Sequence, residues 1–97
     1  MLSQQKVFNA IQGERQYQDE KWGNPIDRPR EVGTYLTLIR KLLHDAEVAY
    51  ATSNGDQECL DELRKVVAVG FACFEQHGIP SRFVLDQFGS LKPKEEI

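Results

Sequence analysis

Two long segments with a helical repeat of apolar residues, joined by a short polar turn, constrain this chain most strongly. In residues 31–52 apolar side chains recur every three or four positions, which is the period of one helix face. Residues 56–77 repeat in the same way, with a second apolar row of Val66, Val69 and Cys73 beside the first. The intervening sequence, TSNGD, is a turn whose Asp56 can cap the next helix. So short a connection predicts an antiparallel helical hairpin.

An additional helix is predicted before this hairpin. Ser3 can cap a helix that runs to about Lys21 and ends at Gly23-Asn24-Pro25. Polar residues inside its buried stripe would need hydrogen-bonding partners. The following connection, GNPIDRPRE, is longer than a simple turn and could lie over the mouth of a pocket. The residues of the stripe are Phe8, Ile11, Arg15, Gln18 and Trp22.

The C-terminal part is predicted to be short and peripheral. Gly78 follows the last periodic residue of the hairpin, as expected at a helix end. Ser81 can cap a short helix over residues 82–88, and residues 90–97 are predicted to be a flexible polar tail. The expected fold is therefore an all-α bundle, with one domain over residues 1–89.

Composition and charge limit the possible functions. The formal net charge of −3 argues against a general nucleic-acid binder, but it leaves room for a local basic pocket that binds a small anion. No apolar run approaches the roughly 20 residues of a membrane span, and the N-terminus lacks a signal-peptide core, so a cytoplasmic location is expected. Cys59 and Cys73 would lie about 21 Å apart on one helix, too far for a disulfide bond.

The residues that could carry chemistry are polar groups on otherwise apolar helices. One group, on the first helix, combines carboxylate, guanidinium, amide and indole side chains, which suit a nucleotide. A second group lies on one flank of the second helix at three- and four-residue spacing, and a third opens the third helix. These groups are Glu14, Arg15, Gln18 and Trp22; Arg40, His44 and Glu47; and Asp61, Glu62, Arg64 and Lys65.

Two stretches resemble the all-α nucleoside-triphosphate pyrophosphatases of the MazG type, including small dCTP- and dUTP-pyrophosphatase-like members often carried by phages. The first, from Phe8 to Trp22, is similar to the helix that shapes the base pocket in that family. The second is residues 38–74, LIRKLLHDAEVAYATSNGDQECLDELRKVVAVGFACF, which is similar to the core hairpin. The resemblance implies a MazG-like helical bundle that assembles as a dimer or tetramer.

The sequence departs from this family at the magnesium site. The family's Glu-Glu-x-x-Glu motif falls on Arg40, Lys41 and His44, and the later acid of its Glu-x-x-Asp motif falls on Lys65. Only Glu62 matches, as a weak metal ligand. Because Mg²⁺ needs several carboxylate oxygens, the changes predict that no magnesium cofactor is bound.

The sequence and the resemblance together predict a catalytically silent protein that binds or sequesters a small nucleotide ligand through a basic pocket. Two alternatives stay open. An active pyrophosphohydrolase, with Mg²⁺, would need Glu14, Asp19, Glu20, Glu47 and Glu62 to form a displaced metal site. A helical interaction module would use the wide apolar face of the third helix. A homo-oligomer is expected, with no nucleic-acid or membrane partner. The predicted nucleotide-binding residues are Glu14, Arg15, Gln18, Trp22, Arg40, His44, Glu47 and Lys65.

Overall fold

Three helices and a small β-ribbon make up the structure, a computed structural model that describes residues 1–85 and 87–93. The helices are α1 (Gln4–Trp22), α2 (Val32–Thr52) and α3 (Gln57–His77). α2 and α3 form the predicted antiparallel hairpin, and α1 packs on α3. The all-α fold class is confirmed. None of the described helices is long and apolar enough to cross a membrane.

The helix boundaries follow from local chemistry at their ends. The Ser3 hydroxyl accepts a hydrogen bond from the backbone N–H of Lys6 at 3.2 Å, which confirms the predicted cap of α1. Gly23 and Gly78 end α1 and α3 at φ angles of 85° and 88°, a region that favours glycine. Asp56 precedes α3 as predicted, but its side chain makes no capping hydrogen bond, so that part of the prediction is wrong.

The core of the hairpin is small. Its central cluster consists of Tyr35 and Leu42 from α2 with Val69 and Ala72 from α3. Trp22, from the end of α1, packs against this cluster and joins the three helices. Cys73 also packs against it as a free thiol, in keeping with its predicted role as a small apolar side chain.

The predicted C-terminal helix over residues 82–88 is wrong. Strands β1 (Phe83–Leu85) and β2 (Leu91–Pro93) pair antiparallel, with Val84 opposite Lys92. The Ser81 hydroxyl accepts from the N–H of Phe83, two residues ahead, and so forms a turn and not a helix cap. Part of the predicted flexible tail is therefore a strand, and residues 94–97 lie outside the described residues.

Candidate functional site

Three basic side chains and an indole meet at the C-terminal end of α1. They surround a cavity of about 520 Å³ between this end and the loop that follows it. We call it the arginine-loop cavity. It is lined by Glu20, Lys21, Trp22, Gly23, Arg28 and Arg30.

A tight turn places Arg28 against the end of α1. The side chain of Asn24 accepts from the N–H of Asp27 at 2.8 Å and donates to its carboxylate at 2.9 Å. The backbone N–H of Arg28 donates to the Asn24 carbonyl at 2.9 Å. The aliphatic part of Arg28 then lies over Gly23, where an added Cβ would be only 2.7 Å from Arg28 Cδ. Glycine at position 23 therefore allows both the backbone conformation that ends α1 and the close packing of the Arg28 side chain.

Arg30 is held in place by the C-terminal turn of α3. Its backbone N–H donates to Gln76 Oε1 at 3.0 Å, and its carbonyl accepts from Gln76 Nε2 at 2.5 Å and from His77 Nε2 at 2.8 Å. The Tyr35 hydroxyl donates to the same Gln76 oxygen at 2.8 Å. The Arg30 guanidinium donates to the Trp22 carbonyl at 3.1 Å, which leaves most of its N–H groups for other partners.

Glu20 also lines the arginine-loop cavity, but it forms no ion pair with the three basic residues. Within residues 1–85 and 87–93, no carboxylate lies within ion-pair distance of Lys21, Arg28 or Arg30. The Lys21 ammonium lies 5.8 Å from the ring centroids of both Tyr17 and Trp22, a cation–π distance. Three basic residues thus share one cavity in a chain whose net charge is −3.

The predicted site residues of α1 are mostly used to attach that helix to α3. Glu14 accepts from Arg64 Nε at 2.8 Å, and Gln18 Nε2 donates to the Lys65 carbonyl at 3.2 Å. Arg15 donates through Nε to Glu75 at 2.6 Å and through Nη2 to Asp19 at 2.8 Å. All three side chains are buried, and each has the partner that its burial requires.

The pKa of Arg15 reflects the same attachment. Burial disfavours its charged form, but the hydrogen bonds and charges of Glu75 and Asp19 outweigh this effect and raise the pKa. The pKa of Arg64 is also raised, mainly by its hydrogen bond to Glu14. Both guanidiniums are therefore fixed, charged components of the interface between α1 and α3.

Two of the predicted residues of the hairpin, His44 and Glu62, line a different cavity, of about 530 Å³, which we call the hairpin cavity. His44 lines it, together with Asp45, Glu58, Asp61 and Glu62. Its carboxylates are largely paired with bases of the same helix. The pairs are Asp45 with Lys41 at 2.8 Å, Asp61 with Arg64 at 2.7 Å, and Glu62 with Lys65 at 3.0 Å.

These pairs change the chemistry that the hairpin cavity offers. The hydrogen bond from Lys41 lowers the pKa of Asp45, so this carboxylate stays charged at neutral pH. Lys65, predicted to bind the nucleotide, already has Glu62 as its partner. No three His, Cys, Asp or Glu side chains in the described part of the chain are arranged to hold a metal ion, so Glu62 has no set of co-ligands there.

Arg40 and Glu47 lie apart from both cavities. Both are exposed, and neither lines the hairpin cavity or the arginine-loop cavity. The residues of α2 that face α3 are Tyr35, Leu42 and Ala46, and helical geometry puts Arg40 and Glu47 on the outer half of α2. The structure therefore does not bring these two residues together with Arg15 or Lys65.

Trp22 is the predicted site residue that lines the arginine-loop cavity, and the arginines beside it were missed. Arg28 and Arg30 flank Pro29 in the loop, immediately before α2. The sequence did indicate a basic site next to an aromatic residue. The segment DRPR begins five residues after the single tryptophan, and no acidic residue separates its two arginines. Sequence reasoning described this segment by its length and gave no role to its charge.

Comparison with known proteins gives no assignment. No model of a known protein family, no curated protein and no solved structure matches this chain.

Proposed function

We propose that this chain is a nucleotide-binding protein on a MazG-like scaffold, without magnesium-dependent pyrophosphatase activity. The observation that carries the proposal is the convergence of Lys21, Arg28 and Arg30 with the indole of Trp22 on the arginine-loop cavity. The cytoplasm, where free nucleotides are abundant, is the expected location.

The chemistry of this cavity suits both ends of a nucleotide. Guanidinium groups bind phosphate oxygens through paired, charge-assisted hydrogen bonds, and an ammonium adds a mobile charge. An aromatic ring offers a stacking surface to a base, which is worth about 1–3 kcal/mol in single-stranded nucleic-acid complexes. The volume of about 520 Å³ lies within the usual range of small-molecule sites. We therefore assign the phosphates to Arg28, Arg30 and Lys21, and the base to Trp22.

The hairpin cavity fits a phosphate ligand less well. Its carboxylates Asp45, Asp61 and Glu62 would repel phosphate oxygens, and Lys41 and Lys65 would have to leave their present partners. Glu20 lines the arginine-loop cavity, but Arg28 and Arg30 have no ion pair with a described carboxylate that a ligand would have to break. Nucleotide binding is thus proposed as the sequence predicts it, but the phosphate contacts are assigned to the loop before α2 and not to the predicted residues Arg40, His44 and Lys65.

The single tryptophan makes this proposal directly measurable. Because Trp22 lies in the cavity, a base stacked on it should quench its fluorescence. We would titrate the protein with deoxynucleoside triphosphates, nucleoside triphosphates and cyclic nucleotides, with and without Mg²⁺. Saturable quenching is expected with at least one of them. Arg30→Gln should raise the Kd about tenfold or more, since a hydrogen bond to a charged group contributes about 1.5–3 kcal/mol.

Arg40→Gln is the matched control, because Arg40 is an exposed arginine that lies outside the arginine-loop cavity. We expect its Kd to equal that of the unmodified protein. A loss of binding in Arg40→Gln or Lys65→Gln, with Arg30→Gln unaffected, would place the ligand in the hairpin. Calorimetry that finds no binding of any nucleotide would overturn the proposal altogether.

Pyrophosphate release from the same nucleotides, with Mg²⁺ or Mn²⁺, tests the enzymatic alternative. We expect no release. Release that Glu62→Ala abolishes would establish a pyrophosphohydrolase and contradict the proposed lack of activity.

A further inference from the structure

The arginine-loop cavity has a side that accepts hydrogen bonds as well as a basic side that donates them. Glu20 lines this cavity, and its carboxylate forms no ion pair with any described residue. An ionised carboxylate only accepts hydrogen bonds, through two oxygens that lie side by side. A ligand that fills the cavity therefore has to place donor groups at Glu20 and acceptor groups at the arginines, because an unmatched polar group costs free energy.

The backbone at the end of α1 adds two more acceptors to the same side. The last carbonyls of a helix point beyond its C-terminal end and carry partial negative charge. Within the described part of the chain, no backbone N–H donates to the carbonyls of Glu20 and Lys21. The residue four positions after Lys21 is Pro25, which has no N–H to donate. The cavity between this helix end and the loop is therefore polarised, with acceptors on the helix side and arginines on the loop side.

Guanine is the nucleobase whose edge matches a carboxylate. Its N1–H and its N2 amino group are adjacent donors, so both can donate to the two oxygens of one carboxylate. Adenine and cytosine place one amino donor beside a ring nitrogen that accepts, and uracil and thymine place one N–H between two carbonyl oxygens. Each of these four bases would set a lone pair against Glu20. Proteins that bind a single base read this edge by hydrogen bonds while an aromatic ring stacks on the base.

We propose that the ligand of the arginine-loop cavity is a guanine nucleotide whose base is recognised by Glu20. The inference rests on the nucleotide-binding function proposed above and adds the identity of the base. Guanine stacks on Trp22 and donates from N1 and N2 to the Glu20 carboxylate, while its phosphates bind Arg28 and Arg30. The negative end of α1 disfavours phosphate on the helix side, so the nucleotide binds in one orientation.

Nucleoside triphosphates that differ only in the base test this assignment by calorimetry. Because the triphosphate is constant, differences in Kd report the base. Guanosine triphosphate should bind most tightly. Inosine triphosphate lacks only the N2 amino group and should bind about tenfold more weakly, since it loses one hydrogen bond to a charged group. Equal Kd values for these two would overturn the guanine assignment and leave nucleotide binding intact, whereas no binding of any nucleotide would overturn both proposals.

Glu20→Gln tests whether this side chain reads the base. The variant puts an amide N–H where a carboxylate oxygen accepted, so guanosine triphosphate should bind about tenfold more weakly. Xanthosine triphosphate has a carbonyl oxygen in place of the N2 amino group, so it should bind more tightly than it does to the unmodified protein. Adenosine triphosphate should not be weakened, because the loss of a negative charge does not hinder phosphate binding. Glu20 is exposed, so its replacement keeps the fold.

Glu31→Gln is the matched control. Glu31 is an exposed acid next to Arg30 in the sequence, and its side chain does not line the arginine-loop cavity. This variant should keep the ratio of the Kd values for guanosine and inosine triphosphate. If Glu20→Gln keeps this ratio as well, or weakens every nucleotide equally, Glu20 does not contact the base and the proposal is overturned.

Discussion

Whether a basic residue is available to a ligand depends on what it already contacts. Arg15 is buried between Glu75 and Asp19, and its burial would be costly without these two carboxylates. Arg30 is held in place by hydrogen bonds between its backbone and Gln76, so its position depends little on its guanidinium group. The Arg15 guanidinium is therefore occupied by the helix interface, whereas the Arg30 guanidinium keeps N–H groups that a ligand could use. The residues next to each arginine in the sequence do not show which of the two is occupied. The partners on α3 that decide this are 60 residues from Arg15 and 46 residues from Arg30.

Gly23 is the residue whose change should disturb the arginine-loop cavity without altering any charge. A side chain at φ 85° is strained, and its Cβ would lie 2.7 Å from Arg28 Cδ. Gly23→Ala should therefore displace Arg28, lower the stability by about 1–2 kcal/mol and weaken nucleotide binding. Thermal unfolding and the quenching of Trp22 fluorescence measure the two effects.

Gly13→Ala is the matched control for Gly23→Ala. Gly13 lies within α1, and an added Cβ there would meet no atom within 4 Å. Alanine should stabilise the helix by about 0.5–1 kcal/mol and leave nucleotide binding unchanged. If Gly23→Ala binds nucleotide as well as Gly13→Ala does, Arg28 is not a ligand residue.

At the scale of elements, α1 is attached to α3 mainly by polar side chains. The Arg64–Glu14 pair is the clearest case, because the Glu14 side chain is only 7% exposed. Arg64→Ala would leave this carboxylate buried without its cation, and we expect a loss of about 1–2 kcal/mol, discounted because Arg64 itself is 37% exposed. The free energy of unfolding in urea measures it.

Two further variants test whether the stability lost in Arg64→Ala comes from the buried charge of Glu14 or only from the loss of a salt bridge. Lys41→Ala removes a pair that lies on the surface, Lys41–Asp45, and should have a much smaller effect than Arg64→Ala. Adding Glu14→Gln to Arg64→Ala should recover part of the lost stability, since a neutral amide is easier to bury than a carboxylate. Equal losses in Arg64→Ala and Lys41→Ala would show that Glu14 is not the cause.

The three helices were predicted well from the sequence because the residues that indicate each helix lie within it or at its ends. Periodicity, the Ser3 cap and the glycines at 23 and 78 are local features, and they agree with the packing of the hairpin. The C-terminal segment has no such support. Residues 82–88 are too few for a helical period to be tested, and Gly89, at φ 78°, instead turns the chain so that β2 can pair with β1. Pairing between segments is a non-local property that the helical signals did not contain.

The candidate site was predicted less well for the same reason. The pattern of α1 indicated correctly that Arg15 and Gln18 are buried and need partners, but it could not show that α3 supplies them. Arg40 was placed in a pocket by its family resemblance, although its position on the outer half of α2 follows from the phase of Tyr35 and Leu42. The angular position of Arg40 around α2, compared with that of the buried residues, would have excluded Arg40 from the predicted site.

On the scale of the whole molecule, the small core and the exposed apolar residues of α2 have one thermodynamic consequence. Among the described residues, Tyr35 and Val69 are the large side chains that are fully buried, so an isolated chain has little hydrophobic stabilisation for its length. Burial of Leu36, Leu43 and Tyr50 against a second copy would add what the core lacks. The stability of the homo-oligomer that the sequence leads us to expect would then depend on protein concentration.

The midpoint of thermal unfolding should therefore rise with protein concentration. A tenfold increase in concentration stabilises a dimer by about 1.4 kcal/mol. Unfolding two chains of 97 residues has an entropy of about 0.4 kcal/mol/K. The Tm should consequently rise by roughly 3 °C for each tenfold step between 1 and about 100 µM, as circular dichroism can follow. In Leu43→Asp the Tm should be lower and independent of concentration. A constant Tm in the unmodified protein would mean that the chain folds alone and that burial of Leu36, Leu43 and Tyr50 against a second copy contributes nothing to its stability.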